Sequence, residues 1–326
     1  MHSKKIAAIE KFADLRILVL GDIMLDIFDF CHSNESRPSP EKFGTLVYKA
    51  RASVKMLGGA GNVAANLAAL NVATSFISIC GEDGNRAVLQ NLADELGILH
   101  TFIADPCRPT TTKTRLYIDD DYILRRDDEE TGEVDADIAE RITNAFTGQV
   151  DGVDAVILSD YNKGFFTAAN TRTFIDVCRA QSIPVIVDFK PPNRSYFSGA
   201  DIIAPNDVEA EVLQPGFIQS NNLEAETRKL YDLLACDHLV VTLGARGICG
   251  FDGTSFFHVP VNKVEVVDSV GCGDTVRVGM ALGFALGLDL REAALLANAA
   301  AAVVIQKLGV ATLTRAELRD FINSLP

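Results

Sequence analysis

The chain has 326 residues, 48% of them hydrophobic, and a formal net charge of −14. The apolar fraction suffices for a large core and excludes a disordered chain, while the acidic balance disfavours nucleic-acid binding. The seven cysteines are scattered and form no C-x-x-C pair, which favours reduced thiols. The sequence also has no apolar run of membrane-spanning length and no signal-peptide pattern, so we expect a soluble cytoplasmic protein.

Short apolar runs alternate with helical patterns along most of the chain. The runs, typical of parallel strands buried on both faces, cover 17–20, 76–79, 153–158, 185–187, 202–204 and 239–242. The helical patterns cover 62–70, 86–96, 168–180, 224–234 and an Ala-rich tail over 273–308, read as two long helices packed closely on the sheet. This alternation predicts an α/β fold with a doubly wound, mostly parallel sheet flanked by helices, in a single domain over 1–326.

Two segments, 27–56 and 107–127, alternate polar and apolar residues instead, which predicts strands with one solvated face. We expect them to form a small β-sheet lid with a hairpin tip at Asp119-Asp120-Asp121. The 22 residues from 119 to 140 contain 11 acids and 2 bases, so this strip carries most of the negative charge.

The segment 268–275 reads D-S-V-G-C-G-D-T, between a strand-like run at 264–267 and the Ala-rich tail. A Gly-x-Gly turn at a helix start exposes backbone N–H groups to the positive end of the helix dipole, which makes an anion site. Asp274 would lie beside the bound anion. The alternative is that Asp274 is only an N-cap and the glycines only shape a turn.

The segment 58–62 reads G-G-A-G-N and precedes an apolar helix. Its glycines let the backbone approach a ligand, and Asn62 can donate and accept hydrogen bonds. It lacks the spacing of a dinucleotide fingerprint, and the alternative is an ordinary glycine-rich loop capped by Asn62. Asp22 and Asp26 follow the first strand, where open α/β sheets bind ligands, and suit hydroxyl-rich ligands or a metal.

These two glycine-rich segments resemble, in order and separation, the two signatures of the PfkB/ribokinase family of carbohydrate kinases, and the resemblance covers essentially the whole chain. Further strings resemble the family's D-glycero-β-D-manno-heptose 7-phosphate kinase branch: 21–26, 36–41, 112–115, 158–164, 204–206 with Glu209, and 297–301. The chain departs from the family pattern at Cys272, Arg277 and Asn71, and none of these is expected to touch the proposed base. Because the chain stops soon after the last helical pattern, it resembles the kinase-only form.

The resemblance implies a ribokinase-like fold and transfer of the γ-phosphoryl group of ATP to a sugar hydroxyl. Asp274 would be the general base, with the N–H groups of Gly271, Cys272 and Gly273 facing the transferring phosphoryl group. The implied sugar-binding residues are Asp22, Asp26, Gly58, Gly59 and Asn62.

On the nucleotide side, the resemblance implies contacts from Thr242, Gly244, Gly247 and Asn298. Asn298 has an alternative as a core-facing residue capped by its neighbours. Mg²⁺ would bridge the ATP phosphates, with few protein contacts, through water from Asn206 or Glu209. Asp268 would contribute to a K⁺ site, as in some members of the family.

A sugar phosphate requires a cationic pocket, and the candidate residues are Lys113, Arg115, Lys163, Lys190 and Arg125. Lys113 and Arg115 stand two apart in a predicted strand and so share one face. The alternative is a solvated face that balances the nearby acids.

Three other functions stay open. The first is a kinase for an unphosphorylated sugar or a nucleoside, the second a non-catalytic sugar- or nucleotide-binding module, and the third an NAD-dependent dehydrogenase, which would lack its fingerprint after the first strand. Because the lid has a half-exposed apolar face, we expect a homodimer formed through the lid. The expected ligand is a small-molecule sugar or sugar phosphate, with neither nucleic acid nor membrane as a partner.

Overall fold

The computed structural model describes residues 2–119, 121–307, 309 and 311–325. Asp120 of the predicted tip and residue 308 of the predicted tail lie outside the described residues. The helices are α1 (His2–Glu10), α2 (Ala60–Ala69), α3 (Gly84–Glu95), α4 (Ala136–Thr147), α5 (Ala168–Ala180), α6 (Asp207–Leu213), α7 (Leu223–Leu234), α8 (Cys272–Ala285), α9 (Leu290–Val304) and α10 (Arg315–Ser324).

The strands fall into one large sheet, a smaller four-stranded sheet and a two-stranded ribbon. They are β1 (Arg16–Gly21), β2 (Ile23–Cys31), β3 (Arg37–Pro38), β4 (Leu46–Val47), β5 (Ala50–Gly59), β6 (Ala73–Gly81), β7 (Leu99–Asp105), β8 (Thr112–Ile118), β9 (Asp121–Asp128), β10 (Ala155–Ser159), β11 (Val185–Asp188), β12 (Ile202–Ile203), β13 (His238–Thr242), β14 (Ile248–Phe251) and β15 (Phe256–Val259).

The large sheet has the order β15-β14-β13-β12-β11-β10-β1-β6-β7, and all its pairs are parallel except β13–β14 and β14–β15. This confirms the predicted mostly parallel sheet. The sequence patterns did not indicate the antiparallel edge formed by β14 and β15. From β1 the chain moves to β6 on one side and later returns to β10 on the other, so a crevice opens at the carboxyl ends of β1 and β10.

Helices cover both faces of this sheet because its strands are apolar on both faces. Along β1, Ile17 and Val19 enter the core beneath α2, α8 and α9, whereas Leu18 and Leu20 enter the core beneath α4, α5 and α7. The two long tail helices pack closely, as predicted: a Cβ added at Gly279 of α8 would lie 2.5 Å from the Ala297 Cα of α9.

The small sheet, called the lid below, has the order β5-β2-β8-β9. It begins at Ile23, earlier than the predicted boundary at residue 27, so Asp26 belongs to a lid strand and Gly58 to the strand beside it. The last residues of β5 lead directly into α2, which joins the base of the lid to the large sheet.

The strand expected over 264–267 is wrong, because the described structure has neither strand nor helix between β15 and α8. Val264 and Val266 line a cleft instead of pairing in a sheet, which accounts for an apolar run without strand partners. None of the helices in the described part of the chain has the length and apolar character that crossing a bilayer requires.

Candidate active site

The candidate site forms where β1, β10 and β11 end beside the first turn of α8. Parallel strands place their carboxyl ends at one edge of the sheet, so residues distant in sequence converge there. Asp22, Tyr161 and Asp188 come from the ends of these strands, and Asp274 comes from α8.

Asp274 is buried, with 6% of its surface exposed, and three side chains donate to its carboxylate. Its Oδ2 accepts from Asn62 Nδ2 at 2.7 Å. Its Oδ1 accepts from the Tyr161 hydroxyl at 2.7 Å and from Arg277 Nη1 at 2.7 Å. The two glycine-rich segments of the sequence therefore meet at this carboxylate.

The expectation that none of the family departures touches the proposed base is wrong for Arg277. Residues three apart on a helix share a face, and this spacing brings the Arg277 guanidinium onto Asp274. Tyr161, in the segment 158–164 after β10, and Asp188, at the end of β11, also belong to this cluster, and neither was among the predicted site residues.

The α8 start partly matches the predicted anion site. Gly271 is the N-cap with φ 79°, so the alternative that Asp274 caps the helix is wrong. The Cys272 N–H donates to the Ser269 carbonyl at 3.3 Å, so one of the three predicted donors already has a protein acceptor. Burial raises the pKa of the Cys272 thiol to about 11, which keeps it neutral near pH 7.

Asp26 and Gly58 lie side by side at the base of the lid. A Cβ added at Gly58 would lie 2.1 Å from Asp26 Oδ2, so glycine is required for this approach. Arg115 Nη1 lies 2.6 Å from Asp26 Oδ1. Burial raises the pKa of Asp26, and the bond from Arg115 opposes that shift. Gly59, with φ 60°, caps α2 and leads into Asn62.

Asp22, a predicted sugar contact, accepts hydrogen bonds from the loop that follows β10. Its Oδ2 accepts from the backbone N–H groups of Tyr161 (2.7 Å) and Lys163 (3.1 Å), and its Oδ1 from that of Phe165 (3.3 Å). Burial, and then the neighbouring Asp160, raise the pKa of Asp22 to about 7. These bonds hold the loop that carries Tyr161.

A cleft of about 670 Å³ extends from the start of α8 along the edge of the large sheet. Among its lining residues are the predicted nucleotide contacts Asn206, Thr242, Gly244, Gly247 and Asn298, together with Cys272 and Gly273. Asn298 Nδ2 also donates to the Pro260 carbonyl at 2.9 Å, so this residue is both capped by a neighbour and part of the cleft wall. The cleft reaches the helix turn that contains Asp274.

Three predicted ion contacts already have protein partners. Asn206 and Glu209 form a reciprocal capping box at the start of α6, and Glu209 Oε1 lies 2.6 Å from Lys190 Nζ. Asp268 accepts from the backbone N–H groups of Val270 and Gly309, each at 3.0 Å. Within the described residues, no group of three or more His, Cys, Asp or Glu side chains could hold a metal ion.

The predicted phosphate-binding cations are also paired with carboxylates. Glu129 bridges two of them, with Oε1 2.7 Å from Lys163 Nζ and Oε2 3.4 Å from Lys113 Nζ. Asp127 contacts Lys113 at 2.9 Å and Arg125 at 2.8 Å. Since Lys113 pairs across the lid with Asp26, this cluster adjoins the Asp26 side of the site.

A family model described as pfkB family carbohydrate kinase matches residues 14–316. The chain is 38% identical over 312 residues to a protein named Bifunctional protein HldE from a Nitratiruptor species, and the match covers 95% of this chain. It covers 65% of that relative, so the chain spans slightly less than two thirds of its length.

Solved structures show the same fold at low sequence identity. Phosphofructokinase-2 from Escherichia coli, in complex with potassium, matches with a TM-score of 0.75 and 19% identity over 95% of this chain and 98% of that one. Ribokinase from Thermotoga maritima matches with a TM-score of 0.70 and 21% identity over 95% of this chain and 100% of that one. The expected ribokinase-like fold is confirmed.

Proposed function

The chain belongs to the pfkB family of carbohydrate kinases, and from this premise we propose that it transfers the γ-phosphoryl group of ATP to the hydroxyl on carbon 1 of D-glycero-β-D-manno-heptose 7-phosphate. Enzymes of this family are phosphotransferases that act on sugar hydroxyls and use ATP with Mg²⁺. The heptose phosphate is supported by the branch-level sequence strings and by relatives named Bifunctional protein HldE.

The observation that carries the proposal is the position of Asp274, which lies between residues that line the cleft and residues at the base of the lid. On one side, Gly273 lines the 670 Å³ cleft together with the predicted nucleotide contacts. On the other, Asn62 joins the carboxylate to the glycine-rich end of β5, beside Asp26. An acceptor hydroxyl held by the second set would therefore lie next to the base and face a phosphoryl group held in the cleft.

The reaction requires one proton acceptor. The hydroxyl oxygen of the sugar forms a bond to the γ-phosphorus, the bond from that phosphorus to the bridging oxygen breaks, and ADP leaves with the electron pair. Asp274 takes the hydroxyl proton and must be ionised to do so. The N–H groups at the start of α8 and the helix dipole stabilise the charge on the phosphoryl oxygens.

The protein residues fit Mg²⁺ only as outer contacts. The two carboxylate oxygens of Glu209 accept hydrogen bonds from Lys190 Nζ and the Asn206 N–H. Direct coordination of Mg²⁺ by Glu209 would therefore break one of these bonds. We propose that Asn206 and Glu209 would hold Mg²⁺ through water, and that the ion, when bound with ATP, would neutralise phosphate charge. At a K⁺ site formed with Asp268, the ion would have to share a carboxylate that already accepts hydrogen bonds from two backbone N–H groups.

The phosphate of the substrate would lie at the Lys113–Glu129–Lys163 cluster. Two ammonium groups that share one carboxylate are placed to share a phosphate in its stead, at the edge of the Asp26 site. The same pairing favours a second candidate, a kinase for an unphosphorylated sugar, because the two lysines are already neutralised.

A panel of acceptors tests these proposals. ADP release would be measured with heptose 7-phosphate, fructose 6-phosphate, ribose and fructose, and Asp274→Asn would serve as the inactive control. We expect the highest kcat/KM with heptose 7-phosphate and a product phosphorylated at carbon 1 by mass spectrometry and NMR. Preference for free sugars would favour the second candidate, and ATP binding without turnover of any acceptor would contradict both.

We also propose that two copies pair through their lids. The outer lid strand β9 exposes Tyr122 (53%), Ile123 (49%) and Leu124 (47%), and Val54 on β5 is 45% exposed. Exposed apolar side chains of a small sheet favour burial against a partner. Sedimentation of the wild type and of Leu124→Lys tests this: we expect a dimer that the substitution weakens, and a monomeric wild type would contradict it.

A further inference from the structure

Arg277 is an unusual residue for its surroundings. It is 7% exposed, in a part of α8 where Val276, Val278 and Met280 are buried as well. A guanidinium in such a place is costly unless its charge is paired. Two carboxylates supply the pairing: Nη1 lies 2.7 Å from Asp274 Oδ1, and Nη2 lies 2.5 Å from Asp188 Oδ2.

The contacts make the two oxygens of Asp274 unequal. Oδ1 accepts hydrogen bonds from both Arg277 and the Tyr161 hydroxyl, and these two bonds occupy both lone pairs of Oδ1. Oδ2 accepts from Asn62 alone among the described residues, so one of its lone pairs stays open. The oxygen on the Asn62 side is therefore the one available to take a proton.

Asp188 anchors the other end of the guanidinium. Its side chain is fully buried at the end of β11, neither of its oxygens has a hydrogen-bond partner among the described residues, and its contact with Arg277 Nη2 is an ion pair. Burial raises the pKa of Asp188 to about 7, and Arg277 opposes that shift. A rigid strand end thus fixes a cation that in turn contacts the base on α8.

We infer that Arg277 is a positioning residue for phosphoryl transfer, which holds Asp274 with Oδ2 toward the acceptor hydroxyl and places a positive charge against its carboxylate. The inference rests on the proposed role of Asp274 as general base. The charged and titratable groups around the guanidinium are Asp188, Asp274, Tyr161 and Glu209, and Lys190 adds a cation near Asp188. The hydroxyl proton goes to Asp274, and neither Arg277 nor Asp188 exchanges a proton in this step.

The test compares three variants with the wild type, using whichever acceptor the wild type phosphorylates. Arg277→Met removes the charge, Arg277→Lys keeps it, and Arg319→Met removes an exposed guanidinium that pairs with Glu10 at 3.0 Å, as a control. The readouts are the pH profile of kcat/KM, the Kd for ATP and the unfolding midpoint.

We expect Arg277→Met to lower kcat by roughly 10²-fold and to move the acidic limb of the pH profile upward by about 1–3 pH units, with the Kd for ATP unchanged. Arg277→Lys should restore the position of the limb, and Arg319→Met should leave the profile as in the wild type. If Arg277→Met does not fold, the double variant Arg277→Lys/Asp188→Asn tests the inference in its place. We expect this double variant to move the acidic limb of the pH profile.

A folded Arg277→Met variant with an unmoved limb would overturn this inference and leave the proposed function intact. If Arg277→Met does not fold, an unmoved limb in the folded double variant would overturn it equally. Absence of turnover by the wild type with every acceptor would overturn both.

Discussion

Asn62 Nδ2 donates to Asp274 Oδ2 across 2.7 Å, and this one bond joins residues 212 positions apart in the chain. Asn62 lies in the first turn of α2, next to the lid, whereas Asp274 lies in the first turn of α8, next to the cleft. Both side chains are buried, at 2% and 6% exposure. The sugar side and the nucleotide side of the candidate site are thereby held in one geometry.

Replacement of Asn62 by alanine should therefore affect catalysis more than nucleotide binding. The variant removes a donor that orients the base, and we expect kcat to fall by roughly 10–100-fold with the Kd for ATP within twofold of the wild type. Steady-state kinetics and ATP titration measure the two effects. Asn221→Ala, at an exposed position, is the control. Equal losses in kcat and ATP affinity would contradict the assignment of Asn62 to the acceptor side.

Glu129 offers a test of the phosphate site. If the substrate phosphate takes the place of this carboxylate between Lys113 and Lys163, Glu129→Gln should lower the KM for a sugar phosphate severalfold, because a competing anion is removed. Lys113→Met should raise that KM by about 10–100-fold. Neither change should alter the KM for an unphosphorylated sugar by more than twofold. Parallel changes for phosphorylated and free sugars would contradict the proposed site.

Gly58 provides a steric test of the sugar site. An alanine Cβ there would collide with Asp26 Oδ2, so Gly58→Ala should displace the carboxylate and raise the KM for the acceptor at least 10-fold. Gly84→Ala is a matched control, because Gly84 is not among the glycines with positive φ and a Cβ there meets no atom within 4 Å. Unchanged acceptor kinetics in the Gly58 variant would show that Asp26 does not hold the sugar.

Asp22 links stability to pH. Its pKa is raised from 3.8 to about 7 in the folded protein, so the folded state binds more protons than the unfolded state within that window. The contribution of this carboxyl to stability is therefore present at low pH and is lost as the pH rises from about 4 to about 7. Relative to Asp22→Asn, the free energy of unfolding of the wild type should fall through this range.

Urea unfolding of both proteins at pH 4.5, 5.5 and 6.5 checks the Asp22 prediction. Asparagine has one acceptor oxygen for the three N–H groups, so the variant should also be less stable by about 1–3 kcal/mol at the acidic end. A constant difference between the two proteins over this range would show that Asp22 titrates as an ordinary carboxyl.

The fold was predictable from the sequence where the local pattern of apolar residues agrees with the burial of the element that these residues form. Continuous apolar runs such as 185–187 predict strands because parallel strands are buried on both faces. The run 264–267 has a similar apolar character, yet it lines a cleft, and a local pattern does not distinguish these two surroundings. Strand β14 lies between β13 and the edge strand β15; with Gly250 inside it, β14 carries no strong strand signal and depends on its neighbours for pairing.

The candidate site was predictable as a set of motifs but not as a set of contacts. The glycine-rich segments identified Asn62 and Asp274, because a helix start without side-chain bulk has its own local signature. The spacing of Arg277 from Asp274 was a usable signal, since residues three apart share a helix face. Its second partner, Asp188, required the three-dimensional structure, because a single aspartate at a strand end has no distinctive pattern.

Single-turnover kinetics of the wild type and Asp274→Asn with ATP, Mg²⁺ and heptose 7-phosphate would test the claim that Asp274 is the base for phosphoryl transfer to a sugar phosphate. We predict that the variant binds ATP with unchanged Kd and forms product at least 10²-fold more slowly. Product formation by Asp274→Asn at the wild-type rate would contradict the claim.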